Sequence, residues 1–354
     1  MNHQQFGHCP LPKAESPQTV TLAHGEGGRH SRELLEGRIL PLLSQHTACK
    51  LTNYRTDAAY LECDTRRLAF STDSYVVSPL FFPGGDIGKL AVFGTCNDLS
   101  MVGAEPKWLS VSLILEEGFS LSILDRVVQS LATAANEAKV QIATGDTKVV
   151  PKGCVDGLFI NTAGIGILGA SRFGGGESLA PGNKILVTGP IGQHGLSILS
   201  AREKFGMETE IISDCGLLWP AVESLLNEGI AIRAMRDATR GGVAAVLHEW
   251  ARDCGHSMVI DQTRVPLSSE ARGMTELLGL DPLFIANEGT MLIGLEEHDV
   301  SKALKILQNV PISRNVQLLG EVQLRKLAPV SVERSLGRLI PLDELSHSLL
   351  PRIC

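Results

Sequence analysis

The sequence predicts an α/β protein in two domains, and three observations carry that reading. Short alternating apolar stretches recur with helix-period patterns between them, glycines or carboxylates stand where those stretches stop, and a glycine- and proline-rich segment breaks the pattern near the middle. That segment, residues 170–183, holds Gly174-Gly175-Gly176 and Pro181-Gly182. The expected organisation is an extension over 1–20, domains over 21–169 and 180–335, and a tail over 341–354. The 354 residues, 44% hydrophobic and 20% charged, suffice for two sizeable cores. With 39 acidic against 32 basic residues the net charge is −7, which weighs against a nucleic-acid partner. Eight cysteines without a CxxC pair fit neither a disulfide framework nor a zinc knuckle. The first residues, MNHQQFGHCPLPKAESPQ, lack a signal-peptide pattern, and no apolar run reaches membrane-spanning length, so a soluble cytoplasmic protein is expected.

The first element is a turn, His24-Gly25-Glu26-Gly27-Gly28, before a helix with Leu35, Ile39 and Leu42 at helical spacing. Glycines ahead of a helix leave backbone N–H groups free to hold an anion, although most such turns are only turns. A strand over Arg67–Thr72 then delivers Asp73, with Asp57 a second acid nearby. Rigid backbone aims a carboxylate into a cleft. Gly84-Gly85-Asp86 leads into a helix carrying Asn97-Asp98, whose oxygens suit Mg2+ or, equally, a helix cap. A strand over Leu109–Leu115 and a helix over Leu124–Ala135 follow. The next strand, Val140–Thr144, is expected to end in Gly145-Asp146-Thr147-Lys148. There the glycine admits close approach, the acid can hold Mg2+, the hydroxyl can bond phosphate and the lysine can neutralise a transferring phosphoryl group.

Beyond the boundary, a strand over Lys184–Thr188 precedes Gly189-Pro190-Ile191-Gly192-Gln193-His194-Gly195 and a helix. The GxxGxxG spacing is not a dinucleotide fingerprint, and His194 reads more naturally as a packing or capping residue than a catalytic one. A strand over Ala231–Met235 leads to Asp237-Ala238-Thr239-Arg240-Gly241-Gly242 at a helix start, where the arginine is placed to grip an anion or the acid to cap the helix. Asn287-Glu288-Gly289 precedes a strand over Met291–Leu295. Desolvation of Glu288 between apolar segments would raise its pKa and suit it to proton transfer.

The tail, PLDELSHSLLPRIC, ends on Cys354, with Pro341 and Pro351 favouring extended backbone. Fourteen extended residues reach roughly 45 Å, further than the radius of gyration of about 20 Å expected here. On its own this reads as a frayed end.

Taken together, HGEGG (24–28), STDSYVVSPLFFPGGDIGKLAVFGTCNDL (71–99), TGDTKVV (144–150), INTAGIG (160–166), DATRGGV (237–243), ANEG (286–289) and the final PRIC resemble the HypE family of hydrogenase-maturation carbamoyl dehydratases, in register from about Leu22 to Cys354. The nucleotide motifs are shared with the wider PurM-like superfamily of ATP-binding proteins, and PRIC singles out the dehydratases. One departure is HGEGG, where the family often has HGSGG. The resemblance implies a two-domain PurM-like α/β fold that pairs into a homodimer through its N-terminal domain. It implies ATP held by Gly25, Gly27, Gly28, Asp57, Thr72, Gly145, Thr147, Asp237 and Arg240, with Mg2+ on Asp73, Asn97, Asp98 and Asp146. Cys354 would receive a carbamoyl group from a HypF-type carbamoyltransferase. ATP-dependent dehydration would make it a thiocyanate, and the cyano group would pass to iron on a HypC–HypD complex. Glu288 and Lys148 would divide the roles of proton acceptor and phosphoryl stabiliser, in either order. Two alternatives stand beside this: a non-catalytic, ATP-responsive thiol carrier, and another PurM-like synthetase such as selenophosphate synthetase, whose cysteine and lysine pair is absent from HGEGGRH.

Overall fold

The computed structural model describes residues 20–24, 28–42, 56–63, 66–169, 173, 175–203, 211–334, 337–346, 350 and 352–354. The expected extension up to residue 19 lies outside them, as do Gly25 and Gly27.

The N-terminal half contains helix α1 (Arg29–Leu34), strands β1 (Ala59–Cys63), β2 (Arg66–Tyr75), β3 (Phe81–Phe82) and β4 (Gly85–Asp86), helix α2 (Ile87–Met101), strand β5 (Ala104–Glu116), helix α3 (Leu121–Ala138), and strands β6 (Gln141–Val150) and β7 (Leu158–Leu168). Five strands form one sheet in the order β1-β2-β7-β5-β6, and only β5 and β6 run parallel. Strand β7 alternates buried and half-buried residues along its whole length, as a strand with one covered face must. The inner face receives α2 and α3. The Asp86 carboxylate caps α2 by accepting the N–H groups of Gly88 and Lys89 at 2.8 and 3.1 Å, a cap that contributes about 1 kcal/mol. Among the described residues little covers the outer face, where Phe70 and Leu61 stand 37% and 42% exposed.

The C-terminal half runs β8 (Lys184–Val187), α4 (Gln193–Glu203), α5 (Trp219–Asn227), β9 (Ile232–Asp237), α6 (Gly242–Cys254), β10 (Ser257–Asp261), α7 (Ser269–Leu278), β11 (Met291–Leu295), α8 (Glu297–Gln308), β12 (Gln317–Gln323), β13 (Val330–Arg334) and β14 (Arg338–Pro341). Its sheet has the order β14-β13-β10-β12-β8-β11-β9. Ile185, Val187 and Leu292 pack on one side with Val243, Leu247 and Trp250 of α6, while Leu186, Met291 and Ile293 pack on the other with residues of α5 and α8. Every residue of β11 is therefore buried, and Met-Leu-Ile-Gly-Leu needs no polar alternation. Among the described residues no helix is long and apolar enough to cross a membrane.

Three local expectations change. Strand β6 does not stop at Thr144 but continues through Gly145–Lys148 to Val150, paired with β5 from Trp108 to Glu116. Gly, Asp and Thr there resemble a turn, but ladder pairing overrides weak β propensity. Asp73 lies inside β2 rather than at its end. Leu35, Ile39 and Leu42, expected to make an apolar helix face, are 39%, 41% and 51% exposed, because among the described residues little packs on that side.

The two halves share a core. Leu90, Phe93, Val127 and Leu131 beneath the first sheet are continuous with Leu196, Ile198, Ile211, Cys215, Leu217 and Ile285 of the second half. Leu350 and Ile353 of the tail belong to the same cluster.

Candidate active site

Three carboxylates meet where the halves join. Asp57 comes from the loop before β1, Asp98 from α2 and Asp237 from the end of β9, and their oxygens lie within 4.8 Å of one another. Arg236 Nε is 2.8 Å from Asp57 and its Nη2 3.4 Å from Glu249. The Ser71 hydroxyl donates to Asp98 at 2.6 Å. Burial pushes Asp57 well above the ordinary carboxylate range, against the pull of Arg236; burial followed by the neighbouring acids does the same to Asp98. Asp237 is pushed up to about 6, again by burial first. Like charges this close favour taking up protons or a cation. Clustered hard oxygens whose negative charge one arginine does not balance fit Mg2+, which this donor set would hold.

A second group adjoins the acids. Arg240 Nη2 lies 3.9 Å from Asp73. The Cys354 thiol is pushed up to about 12 by burial, against Arg240, while Glu288, Asp73 and Asp237 add to the rise. The thiol's charge is in turn the largest influence raising Arg240. Glu288, 4% exposed, is held well above its ordinary value by burial first and then by Asp237, Asp214 and Asp73. A carboxylate whose affinity for a proton is raised in this way is suited to accept one.

The Glu288 loop is built by a residue that the sequence reading missed. The Asp214 carboxylate accepts the N–H groups of Glu288 and Gly289, each at 3.0 Å, and the Thr290 hydroxyl at 2.9 Å. A Cβ on Gly289 would come within 1.9 Å of the Asp214 carbonyl oxygen, so only glycine fits. The available signal was a lone acid inside the apolar run Ile211-Ile212-Ser213-Asp214-Cys215-Gly216-Leu217-Leu218. Arg236 and Ser71 were also missed, since each reads as an ordinary strand residue.

The tail reaches this site in its own chain. Val76 N–H donates to a main-chain oxygen of Cys354 at 3.0 Å and Ser78 N–H to the Arg352 carbonyl at 3.3 Å, in the manner of an added strand. Arg202 donates to the carbonyls of Ser78 and Arg352. Arg352 itself, in the left-handed region at φ 55°, bonds Asp156 at 2.7 Å and the Val76 carbonyl at 3.2 Å. Burying Leu350 and Ile353 contributes about 1.5–3 kcal/mol each. Ordering the last residues costs about 1–2 kcal/mol apiece, so the balance allows the tail to leave.

Other expected site residues lie elsewhere. Asn97 is buried, its amide donating to the Gly216 carbonyl at 3.0 Å and accepting Leu218 N–H at 2.8 Å. It ties α2 to the segment that carries Asp214, and both ends of its amide are committed there rather than to the acid cluster. Thr72 projects from the outer face and bonds the Thr162 carbonyl at 2.8 Å. Gly28 opens α1 at φ 82°, against Leu345 of the tail's approach. Asp146 aligns through Ser112 and Asn161 with Ser74, three strand spacings away, or about 14 Å. Pairing places it with Ser74 on the outer face, whereas Asp73 and Thr162 face inward. Gly145, Thr147 and Lys148 share that exposed edge. Within one chain this stretch does not join the acid cluster.

Residues 55–168 match the AIR synthase related protein N-terminal domain, and residues 180–330 the corresponding C-terminal domain. The carbamoyl dehydratase HypE of Escherichia coli strain K12 is 43% identical over 336 residues, 95% of this chain and 99% of that protein. A crystal structure of a HypE–HypF complex superposes with a TM-score of 0.81 at 40% identity, covering 87% of this chain and 99% of that one. HypE crystallised in complex with ATP gives a TM-score of 0.78 at 41% identity, covering 95% and 100%. With both AIR synthase related domains and near full-length correspondence to these proteins, the chain belongs to the HypE family.

Proposed function

We propose that this protein is an ATP-dependent carbamoyl dehydratase whose substrate is a carbamoyl group carried on its own Cys354. The observation that carries the reading is the thiol's position: half-buried in its own chain, within electrostatic reach of Arg240 and Glu288 and close to a carboxylate cluster suited to Mg2+. An amide oxygen leaves poorly. Transfer of the γ-phosphoryl group of ATP to the thiocarboxamide oxygen forms the O–P bond, breaks the bond to ADP and leaves an imidate as one N–H proton departs. Loss of the second N–H proton, with cleavage of C–O and release of phosphate, gives S–C≡N. Glu288 accepts the first nitrogen proton, the departing phosphate carries away the second, and Arg240 steadies negative charge beside the sulfur. Asp57, Asp98 and Asp237 would hold Mg2+, which would offset the charge of the triphosphate.

Lys148, Asp146, Gly145 and Thr147 enter this scheme through a second copy of the chain. The uncovered outer face and the exposed edge strand β6 support such pairing. Cytoplasmic partners follow from the same reading: a HypF-type carbamoyltransferase that loads the tail, and a HypC–HypD complex that takes the cyano group to iron. Both require the tail to swing outward.

Intact-mass measurement on protein given a carbamoyl donor system tests this. Loading adds about 43 Da and ATP then removes about 18 Da, with neither change in Cys354→Ala. A loaded tail that stays unchanged with ATP and Mg2+ would instead identify a carrier, and loss of water without ATP would overturn the mechanism.

A further inference from the structure

We infer that His194, oriented by Ser213, is the positioning residue that sets the register of the docked tail, and that Ser213-Asp214 ties this register to the Glu288 loop. His194 starts α4, is fully buried, and packs edge-on against Phe82 with ring centroids 5.3 Å apart. That environment would serve a plain packing residue, yet both ring nitrogens are used. Nε2 lies 2.5 Å from the Ile353 carbonyl oxygen and Nδ1 2.8 Å from the Ser213 hydroxyl. A carbonyl only accepts, so Nε2 carries the hydrogen and Nδ1 accepts from Ser213. Ser213 Oγ in turn accepts the Cys215 N–H at 3.0 Å, and Ser213 N–H donates to Pro83 at 2.9 Å. Burial brings His194 down to about 4, against the raising influence of the Ile353 carbonyl and with Arg202 lowering it further. A neutral ring with one N–H is what this pair of contacts requires.

The consequence lies in adjacent residues. Ser213 orients His194, which holds the carbonyl preceding Cys354, while Asp214 fixes the backbone of Glu288 and Gly289. One short segment thus holds both the sulfur's approach and the acid that faces it. A slip of one residue would move an extended tail by about 3.3 Å and turn its side chains to the opposite side. Backbone bonds from Val76 and Ser78 hold the tail, but His194 reads the single carbonyl whose placement decides whether Cys354 faces Arg240.

The docking part stands on geometry alone; its consequence for catalysis rests on the dehydratase reading. The test is alkylation of Cys354 by iodoacetamide in the full-length protein, followed on the C-terminal peptide by mass spectrometry, because docking half-buries the thiol. His194→Leu should raise the alkylation rate roughly 10- to 100-fold, the effect expected when a buried carbonyl loses its donor. His194→Gln, whose amide can still donate, should recover most of the shielding. Ser213→Ala should give a smaller rise of about 3- to 10-fold, and none when added to His194→Leu. With a carbamoylated tail, the same order should appear as slower single-turnover loss of water. If leucine shields as well as glutamine, His194 only packs and the inference is overturned. Should His194→Leu not fold, an unchanged alkylation rate in folded Ser213→Ala overturns it equally. Wild-type protein that never loses water from a loaded tail would end the dehydratase reading, while the alkylation series would still decide the clamp.

Discussion

The inner face and the free edge of the N-terminal sheet carry the two halves of one chemistry in opposite states of completion. On the inner side Asp57, Asp98, Asp237, Arg240, Glu288 and Cys354 are gathered by a single chain at the junction of its halves. On the edge, Gly145–Lys148 stand exposed on β6, on the far side of three strand spacings. A buried acid cluster needs two halves folded together, whereas an edge strand needs only one neighbour. The difference teaches that one chain can gather the acids and the tail cysteine by itself, whereas Lys148 stays apart from them within that chain, so that on the dehydratase reading it acts from another copy.

Mixing two inactive proteins would break or sharpen that division most strongly. Glu288→Gln and Lys148→Ala should each lower single-turnover dehydration by about 100-fold or more when alone. If Lys148 acts across a pair, subunits exchanged between the two variants regain sites in which both residues are intact. About a quarter of wild-type sites should return by statistical pairing. No recovery in a mixture shown to contain hybrid dimers would place Lys148 and Glu288 in the same subunit and undo the contrast.

The inner half was the more legible of the two in the sequence. Asp73, Asp98 and Asp237 stand out because acids inside apolar, periodic segments have few structural reasons to be there, and Glu288 between two apolar runs carries the same signal. The α/β pattern followed from periodicity, and the boundary from Gly174-Gly175-Gly176. Asp214 was not visible because Ile211–Leu218 follows neither the helix nor the strand period, and its contacts lie more than seventy positions away. His194 was weighed as a packing residue for the same reason: its tail contact spans 159 positions. Gly145–Lys148 resembles a turn in the sequence but is strand in the structure, since pairing with β5 is invisible to local propensity.

Metal dependence gives a smaller, still discriminating effect. Burial and its neighbours hold Asp98 above the usual carboxylate range. Its charge therefore weighs against the metal-free fold at neutral pH, and the stability it allows is greatest below the ordinary carboxylate value and lost as pH rises through the folded one. Asp98→Asn should raise the melting temperature of metal-free protein at pH 7, by about 2–4 °C for each kcal/mol relieved, and remove most of the stabilisation that Mg2+ gives wild type. Asp57→Asn should act in the same direction but less strongly in metal-free protein, because burial also holds Asp57 above its ordinary range while the variant loses the carboxylate 2.8 Å from Arg236. A lowered melting temperature in Asp98→Asn, with the Mg2+ response intact, would remove Asp98 from the cation site.

The mildest effect concerns the tail itself, the one component of the inner half that must also leave it. Docking raises the Cys354 thiol from an ordinary value near 9 to about 12. The docked state thus prefers the neutral thiol, and the sign follows directly. Below about 9 both states are protonated and docking is at full strength; between about 9 and 12 the free thiol ionises first and docking weakens. Limited proteolysis of the tail should be constant up to pH 9 and increase above it, while Cys354→Ser, which does not titrate there, should show no such rise. An equal rise in both proteins would trace the effect to the fold rather than the thiol. At neutral pH the docked sulfur is held as a poor nucleophile, so on the dehydratase reading the undocked tail is the form that acquires a carbamoyl group and the docked tail the form that loses water.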